Sequence, residues 1–474
     1  MLFPTTTFAI FFVIVLPTSW LLMRRRAWWQ AFMLAASYVF YAWWDWRFVF
    51  LLAASTVGNY FAARVIRATA GVRPRQALLG LAVAFNLGLL GYFKYAGFLV
   101  SSAENALGRL GLPSSSWALS VTLPIGISFF TFMAMSYVID VYRGQLEPVD
   151  FPRFAVYLSF FPHLVAGPIV RGSELLPQLE RPRNAGRVDA TRAYFLILSG
   201  LFFKVVVANQ LSTHLVDTVF AAPDRHSSLE VLVAVYGYAV QIFADFMGYT
   251  NIAIGVALLL GFEFPQNFNS PYQAVSLQDF WRRWHMTLSR WLRDYLYIPL
   301  GGNKKGRVRT YVNLLATMLL GGLWHGAAWT FVIWGGLHGS GLAVERLARD
   351  VFSRGRRIWQ GGLWSRWLGR LVTFHFVCFA WIFFRASSLS AAGSVIGRLF
   401  SAWGQSSPLV TTGVVLAIAF GLGANFLPGR LVAGTFDRFA RLPVAAQAAC
   451  LAVGLMLVDT LGPQGVAPFI YFRF

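Results

Sequence analysis

Long apolar stretches, separated by short basic segments, recur along almost the whole of this 474-residue chain. A helix needs about 20 apolar residues to cross the hydrocarbon core of a bilayer, and many of these stretches reach that length. In lipid, backbone N–H and C=O groups must be satisfied within the protein, which favours an α-helix for each span. The sequence therefore predicts an all-α, multi-pass integral membrane protein with about 11 to 12 transmembrane helices.

The predicted spans follow the apolar stretches in chain order. Stretch 230–260 is long enough for either one tilted helix or a broken pair. Segment 152–170 carries three prolines and a glycine, so its regular helix is too short to cross and a re-entrant element is predicted. The spans are placed near 3–22, 28–44, 48–63, 77–99, 117–138, 193–219, 230–260, 311–326, 328–345, 371–384, 408–427 and 444–460.

The composition excludes several classes of protein. Hydrophobic residues make up 57% of the chain and charged residues only 12%, whereas a soluble domain carries about 25% charged residues. A soluble enzyme, a disordered tail and a disulfide scaffold are therefore excluded. Cys378 and Cys450 lie in apolar runs, so neither a disulfide framework nor a bound metal is expected. We predict one membrane-embedded domain over residues 1–474, with N-terminal spans in 1–120 and a core in 120–474.

The formal net charge of +21 indicates topology and not nucleic-acid binding, because the charges lie between apolar runs. The N-terminal stretch has no basic segment before it, so it is expected to be a retained span. With the N-terminus outside the cytoplasm, the inward segments hold most of the 40 Lys and Arg residues, as the positive-inside rule requires. Both termini are then extracytoplasmic, and basic loops face anionic membrane lipids.

Residues 276–297 form the most distinctive segment between spans. Ser276 followed by Asp279 predicts a capped helix start, and Pro299 predicts its end. The helix is expected to be basic and amphipathic and to lie at the cytoplasmic interface. Two compatible interpretations stay open: an anchor among anionic lipids, or a docking surface for an anionic donor such as a nucleotide-bearing thioester. The apolar positions recur at helical spacing: Trp281, Trp284, Leu288, Trp291, Leu292 and Tyr295.

His325 lies in the apolar block GGLWHGAAWTFVIWGGLHG at 321–339. An ionisable side chain at membrane depth is a functional candidate, and histidine suits proton transfer near neutral pH. The alternative is a structural histidine bonded to a backbone carbonyl in a tight bundle. GxxxG pairs at 322–326 and 335–339 predict close helix approach. His338 lies thirteen residues after His325, so it is expected to face another side of the helix and either to be structural or to support the site indirectly.

The chain resembles the membrane-bound O-acyltransferase family, in the bacterial branch that includes alginate-type O-acetylation proteins. The resemblance covers about residues 120–474, whereas the first third matches mainly in hydropathy. The blocks that carry it are FFPHLVAGPIVR at 160–171, QIFADFMGYTNIAIGVALLLGFEFPQNFNSPY at 241–272, LQDFWRRWHMTLSRWLRDYLYIPLGGN at 277–303, GGLWHGAAWTFVIWGGLHG at 321–339 and the terminal FIYFRF.

The resemblance implies two catalytic residues. His325 is expected to act as general base at the constriction of a membrane-crossing tunnel, and His285 to orient or polarise the thioester carbonyl from a more cytoplasmic position. No permanently bound cofactor is expected, and acetyl-CoA is the expected donor. Residues expected to bind the donor are Trp324, Trp284, Arg282, Arg283, Asp279, Arg293 and Asn303.

The expected function is transfer of an acetyl group across a bacterial cytoplasmic (inner) membrane, for O-acetylation of an extracytoplasmic polysaccharide of the alginate type. Because no serine-hydrolase block is present, a periplasmic partner protein and a polysaccharide synthesis or secretion complex are expected. The alternatives are D-alanyl or other acyl transfer to a cell-wall polymer, a polysaccharide or lipid transporter, and a structural scaffold. The acceptor polymer cannot be named from the sequence.

Overall fold

The computed structural model of the protein describes residues 1–112, 121–352, 362–463 and 469–470. Within these ranges the regular structure is helical and contains no strand, which confirms the predicted fold class. Most of the terminal block FIYFRF lies outside the described residues.

Six helical stretches in the described residues are long and apolar enough to cross a bilayer, so the chain is an integral membrane protein. A seventh results if the helices 412–426 and 429–440, bent by 95° at their junction, count as one span. The predicted span 230–260 is one unbroken helix, Ser228–Leu259. Several other predicted spans are helices that are too short or too polar to be counted as membrane-crossing by length and hydropathy. The six stretches are Arg47–Ala68, Val72–Arg109, Ala190–Ala221, Ser228–Leu259, Leu363–Arg385 and Val444–Leu461.

The chain divides into two compact units. The first contains Met1–Val188 and Val256–Pro265. Its helices are α1 Thr6–Leu22, α2 Arg26–Ala42, α3 Arg47–Ala68, α4 Val72–Leu90, α5 Ala96–Arg109, α6 Ile127–Tyr142, α7 Phe151–Ser159, α8 Phe161–Leu164 and α9 Gly172–Leu179. The nine-residue α7 is too short to cross a bilayer, as predicted for segment 152–170.

The second unit contains Asp189–Gly255 and Gln266–Phe474, and both candidate catalytic histidines lie in it. π-Helical turns interrupt it at Phe202–Ala208, Ser212–Val216 and Arg293–Tyr297. Its helices are α10 Ala190–Leu201, α11 Asn209–Leu211, α12 Asp217–Ala221, α13 Ser228–Leu259 (which ends in the first unit), α14 Leu277–Arg283, α15 Met286–Leu292, α16 Arg307–His325, α17 Trp329–Phe352, α18 Leu363–Arg385, α19 Leu389–Ser401, α20 Thr412–Gly423, α21 Gly429–Ala440 and α22 Val444–Leu461.

The prediction of one continuous helix over 276–297 is wrong. The Ser276 side chain accepts from the Asp279 backbone N–H at 3.2 Å, which confirms the predicted helix start. The helix then breaks between α14 and α15, where His285 adopts the left-handed conformation with φ of +41°. The large apolar side chains on either side of the break are buried in the second unit, with Trp284 1% and Leu288 1% exposed. This segment is therefore packed into protein and does not simply lie on the bilayer surface.

Helices α16 and α17 form a tight hairpin around the turn that follows His325. A Cβ atom on Gly322 would collide with the carbonyl of Phe331, and one on Gly335 would collide with the carbonyl of Met318. Because glycine carries no Cβ, the two backbones pack closer than larger residues would allow. The close approach predicted from the two GxxxG pairs is confirmed.

Replacement of Gly335 by alanine is expected to force α16 and α17 apart and to destabilise the protein by about 1 to 3 kcal/mol. Gly336→Ala is the matched control, because its added methyl group would meet only the Leu319 side chain, at an ordinary 3.6 Å. Thermal unfolding in detergent measures the difference. Equal melting temperatures for the two variants would contradict the proposed role of the close approach.

Candidate active site

The two candidate catalytic histidines lie side by side. His285 precedes α15 and His325 ends α16, and their ring centroids are 6.5 Å apart. Both side chains are buried, with 0% and 3% exposure respectively. The two histidines therefore form one buried pair, because the chain break at Trp284–His285 places His285 in the interior.

Asn267 holds the ring of His285. Its side-chain oxygen lies 3.1 Å from Nδ1 of His285. The same oxygen accepts from the backbone N–H of Thr287 at 3.2 Å and from the Thr287 hydroxyl at 2.9 Å. The Asn267 backbone carbonyl also accepts from the N–H of Met286 at 2.9 Å. These bonds fix the left-handed turn and the imidazole together.

This arrangement determines which nitrogen of His285 carries the proton. A backbone N–H can only donate, so the side-chain atom of Asn267 facing Thr287 must be the oxygen. Nδ1 of His285 must then donate to that oxygen, which leaves the lone pair on Nε2. Nε2 is buried and has no partner among the described residues. Burial lowers the pKa of His285 to about 3, so the ring is neutral and Nε2 can accept a hydrogen bond near neutral pH.

Aromatic side chains enclose His325. Trp334 lies edge-on at 5.0 Å, Phe384 at 5.2 Å and the neighbouring Trp324 at 5.0 Å, measured between ring centroids. Trp324 also lies 6.0 Å from His285 and therefore borders both histidines. His325 is only 3% exposed, so bulk water is largely excluded and electrostatic interactions there are strengthened.

A cavity of about 630 Å³ lies in the same unit, between α14, α15, the π-helical turn, α16 and α17. Five of its lining residues are arginines and one, Glu345, is acidic. Carboxylates lie near some of them: Arg293 lies 2.6 Å from Asp294, and Arg346 lies 3.8 Å from Asp350. The cavity is basic and suits a ligand with several negative charges. The arginines are Arg282, Arg290, Arg293, Arg346 and Arg349.

Two indole rings lie between this cavity and His325. Trp281 lines the cavity, and its ring lies 5.8 Å from Trp334. Trp334 in turn contacts His325. Neither histidine of the pair lines the cavity, and the two indoles form a chain of ring contacts from the cavity to His325.

Of the seven residues predicted to bind the donor, four lie at the basic cavity or beside the histidines, and three do not. Arg282, Arg293 and Asn303 line the basic cavity, and Trp324 borders the histidines. The other three have structural contacts. Asp279 accepts from Arg283 at 3.0 Å, and Trp284 stacks on Phe280 at 5.5 Å in the aromatic core.

Several site residues were not predicted from the sequence. Asn267 is a polar residue in the block at 241–272 and was detectable as such, but only the fold brings it to His285. Trp334 and Phe384 lie in apolar helices and resemble ordinary core residues. Arg346 and Arg349 reach the cavity because α17 folds back along α16, which no local pattern reveals. The described ranges contain no cluster of three His, Cys, Asp or Glu side chains that could hold a metal ion.

Comparison with known proteins places these residues in a known family. The sequence model of the MBOAT, or membrane-bound O-acyltransferase, family matches residues 83–387, which include both histidines and the cavity. The chain is 43% identical over 373 residues to the probable alginate O-acetylase of Azotobacter vinelandii, covering 78% of this chain and 72% of that protein.

More distant relatives have other named activities. The peptidoglycan O-acetyltransferase of Helicobacter pylori is 37% identical over 394 residues, covering 77% of this chain and 73% of that protein. The teichoic acid D-alanyltransferase of Bacillus subtilis is 30% identical over 274 residues, covering 55% and 68% respectively. The named activities share acyl transfer and differ in the polymer and the acyl group.

Replacement of Asn267 by leucine is expected to leave three donors without an acceptor and to destabilise the protein by about 1 to 3 kcal/mol. Asn267→Asp keeps a side-chain oxygen at the same place and is expected to be less destabilised. Thermal unfolding in detergent compares the two variants. A leucine variant as stable as the natural protein would show that Asn267 does not hold His285.

Proposed function

Because the chain belongs to the membrane-bound O-acyltransferase family and is an O-acyltransferase, we propose that it O-acetylates an extracytoplasmic polysaccharide with acetyl-CoA as donor. The observation that carries this proposal is the buried pair His285 and His325 near a basic cavity, to which Trp281 and Trp334 connect His325 by ring contacts. A buried pair of imidazoles suits proton transfer, and a basic chamber suits the phosphates of the donor.

The donor binds with its phosphates in the basic cavity and its acyl arm directed toward the histidines. The guanidinium groups of Arg282, Arg290 and Arg349 are suited to phosphate oxygens, because each presents several N–H donors in a plane. The arm must displace or pass Trp281 and Trp334 to reach His325. We place this cavity on the cytoplasmic side, in agreement with the basic inward segments of the sequence.

The chemical step joins the acceptor hydroxyl oxygen to the acetyl carbonyl carbon and breaks the bond from that carbon to sulfur. His325 takes the hydroxyl proton as general base and then gives it to the departing thiolate, so the products are an acetyl ester and a free thiol, and the neutral imidazole is restored. For His285 we propose a task other than carbonyl polarisation. Its unprotonated Nε2 is an acceptor, so it stabilises the positive charge that forms on His325 during proton transfer.

A small acyl group is favoured by the aromatic enclosure of His325. Trp334 and Phe384 approach the imidazole at 5.0 and 5.2 Å, and we propose that these rings limit the length of the acyl chain. The alginate and peptidoglycan O-acetylating relatives share a greater part of this chain than the D-alanylating relative does. Acetyl transfer is therefore the first candidate and D-alanyl transfer the second.

The proposal extends to the cellular setting. The protein lies in a bacterial inner membrane with both termini extracytoplasmic. A periplasmic partner protein passes the acetyl group to the polymer, which belongs to a synthesis or secretion complex. Membrane lipids contact the exposed apolar helices, and no nucleic-acid partner is proposed. A transporter is the rival from another class and predicts no consumption of acetyl-CoA.

His325→Ala is expected to lower the turnover of acetyl-CoA by about 10² to 10⁴-fold, because a positioned general base contributes that much to a rate. Acetyl transfer by the purified chain in proteoliposomes measures it. His214→Ala is the control, since His214 is exposed on another element. A folded His325→Ala protein with undiminished turnover would refute the assignment.

The double variant Arg282→Gln, Arg293→Gln is expected to raise the KM for acetyl-CoA by about tenfold and to weaken its dependence on salt, because phosphate contacts are lost. Arg366→Gln removes an exposed charge that does not line the cavity and serves as the control. If both proteins show the same KM and the same salt dependence, the donor binds elsewhere.

Phe384→Ala is expected to open space beside His325 and to raise the kcat/KM ratio of butyryl-CoA to acetyl-CoA by about tenfold. Phe379→Ala removes a ring of the same helix that is 39% exposed, and it is expected to leave this ratio unchanged. Competition between the two donors in one reaction gives the ratio directly. An unchanged ratio in Phe384→Ala would mean that the enclosure does not limit acyl length.

A further inference from the structure

Three aromatic side chains between the basic cavity and His325 carry ring nitrogens that lack a hydrogen-bond partner in the part of the chain the structure describes. These atoms are Nε1 of Trp281, Nε1 of Trp334, and both Nδ1 and Nε2 of His338. Trp334 and His338 are completely buried, with 0% exposure. Buried polar atoms in native proteins are nearly always paired, so a group of unpaired ones requires an explanation.

The three residues form one cluster. The ring of His338 lies 5.2 Å from Trp281 and 4.8 Å from Trp334, and the two indoles lie 5.8 Å apart. Phe280 and Phe376 cover His338 at 6.2 and 5.7 Å and offer no polar atom. The helix breaks between His325 and His338, and Trp334 contacts both rings.

The fold places His338 on the path from the cavity to His325. One face of α17 carries Trp334, His338, Leu342 and Glu345, because these residues are spaced by three or four positions. Leu342 and Glu345 line the cavity, whereas Trp334 contacts His325. With a rise of about 1.5 Å per residue, His338 lies about 6 Å along the helix from both Trp334 and Leu342. A ligand arm that extends from the cavity to His325 must pass this cluster.

We propose that Trp281, Trp334 and His338 form a polar subsite that binds the amide-bearing arm of the acyl thioester donor. This inference rests on the proposed function, since it assumes a donor of the acetyl-CoA type. The chemistry of the two sides is complementary. Indole N–H groups donate to amide or thioester carbonyl oxygens. A neutral imidazole donates through one nitrogen and accepts an amide N–H through the other.

The subsite acts on binding and leaves the chemical step to His285 and His325. His338 is therefore a positioning residue: it holds the arm so that the acetyl carbonyl reaches the imidazole pair. Loss of its nitrogens should raise the KM for the donor without an equal fall in kcat, whereas loss of His325 lowers kcat.

The test compares two ligands that differ by the arm. CoA carries the arm, and adenosine 3′,5′-bisphosphate carries phosphates without it. His338→Phe keeps a ring of similar size and removes both nitrogens. In the detergent-purified full chain, this variant is expected to bind CoA about tenfold more weakly and adenosine 3′,5′-bisphosphate as tightly as the natural protein. Its KM for acetyl-CoA is expected to rise about tenfold with kcat within about twofold.

Two further variants test the same subsite if His338→Phe does not fold, and a third variant is a packing control. Trp281→Phe removes one N–H and is expected to weaken CoA binding about threefold. His338→Gln restores a donor and an acceptor and is expected to recover most of the CoA affinity. Phe376→Leu loosens the packing around His338 without removing a polar atom, and its CoA affinity is expected to be unchanged.

The binding results test the subsite, and the activity of the natural protein tests the proposed function. Unchanged CoA affinity in both His338→Phe and Trp281→Phe would overturn the subsite, and so would an equal loss of affinity for both ligands, which indicates general damage. If the natural protein consumes acetyl-CoA and binds CoA, the proposed function stands even when the subsite fails. If the natural protein does neither, both proposals are refuted together.

Discussion

The close approach of α16 and α17 is the constraint on which the site depends. Gly322 and Gly335 allow the two backbones to pack where any Cβ atom would collide with a carbonyl. The tight turn between the helices then presents His325 beside Trp334. The same packing turns α17 back along α16, so that arginines far along α17 reach the cavity. One steric condition thus brings the imidazole, its aromatic enclosure and much of the positive charge together.

The neutral, buried imidazole of His285 is the second condition. An unpaired charge in an apolar interior is strongly unfavourable, and the surroundings of His285 accordingly favour its uncharged form. The side-chain oxygen of Asn267 accepts from the backbone N–H and hydroxyl of Thr287 and lies next to Nδ1 of His285. Because this atom is an acceptor, Nδ1 of His285 carries the proton. A neutral base kept away from water can accept a proton when a hydroxyl group arrives. The basic cavity, by contrast, gathers positively charged side chains, and neither imidazole lines it.

The sequence predicts the fold class, the close helix pair and the two histidines, because these depend on local patterns: apolar length, glycine spacing and polar residues within apolar runs. It does not predict the break at His285, since the helical periodicity continues through it, whereas tertiary contacts such as those of Asn267 stabilise the left-handed turn. It also does not separate Arg282, which lines the cavity, from Arg283, which pairs with Asp279. Side chains at adjacent helix positions point in different directions, and tertiary packing decides which of them faces the cavity.

The central claim is that a donor held by the basic cavity delivers its acetyl carbonyl to the imidazole pair. The most direct measurement is a cryo-electron microscopy structure of the full chain with a non-hydrolysable acetyl-CoA analogue. The account predicts phosphates among the cavity arginines, the arm beside Trp281 and the acetyl carbonyl between His285 and His325. Density for the analogue bound with its acetyl group remote from both histidines would contradict it.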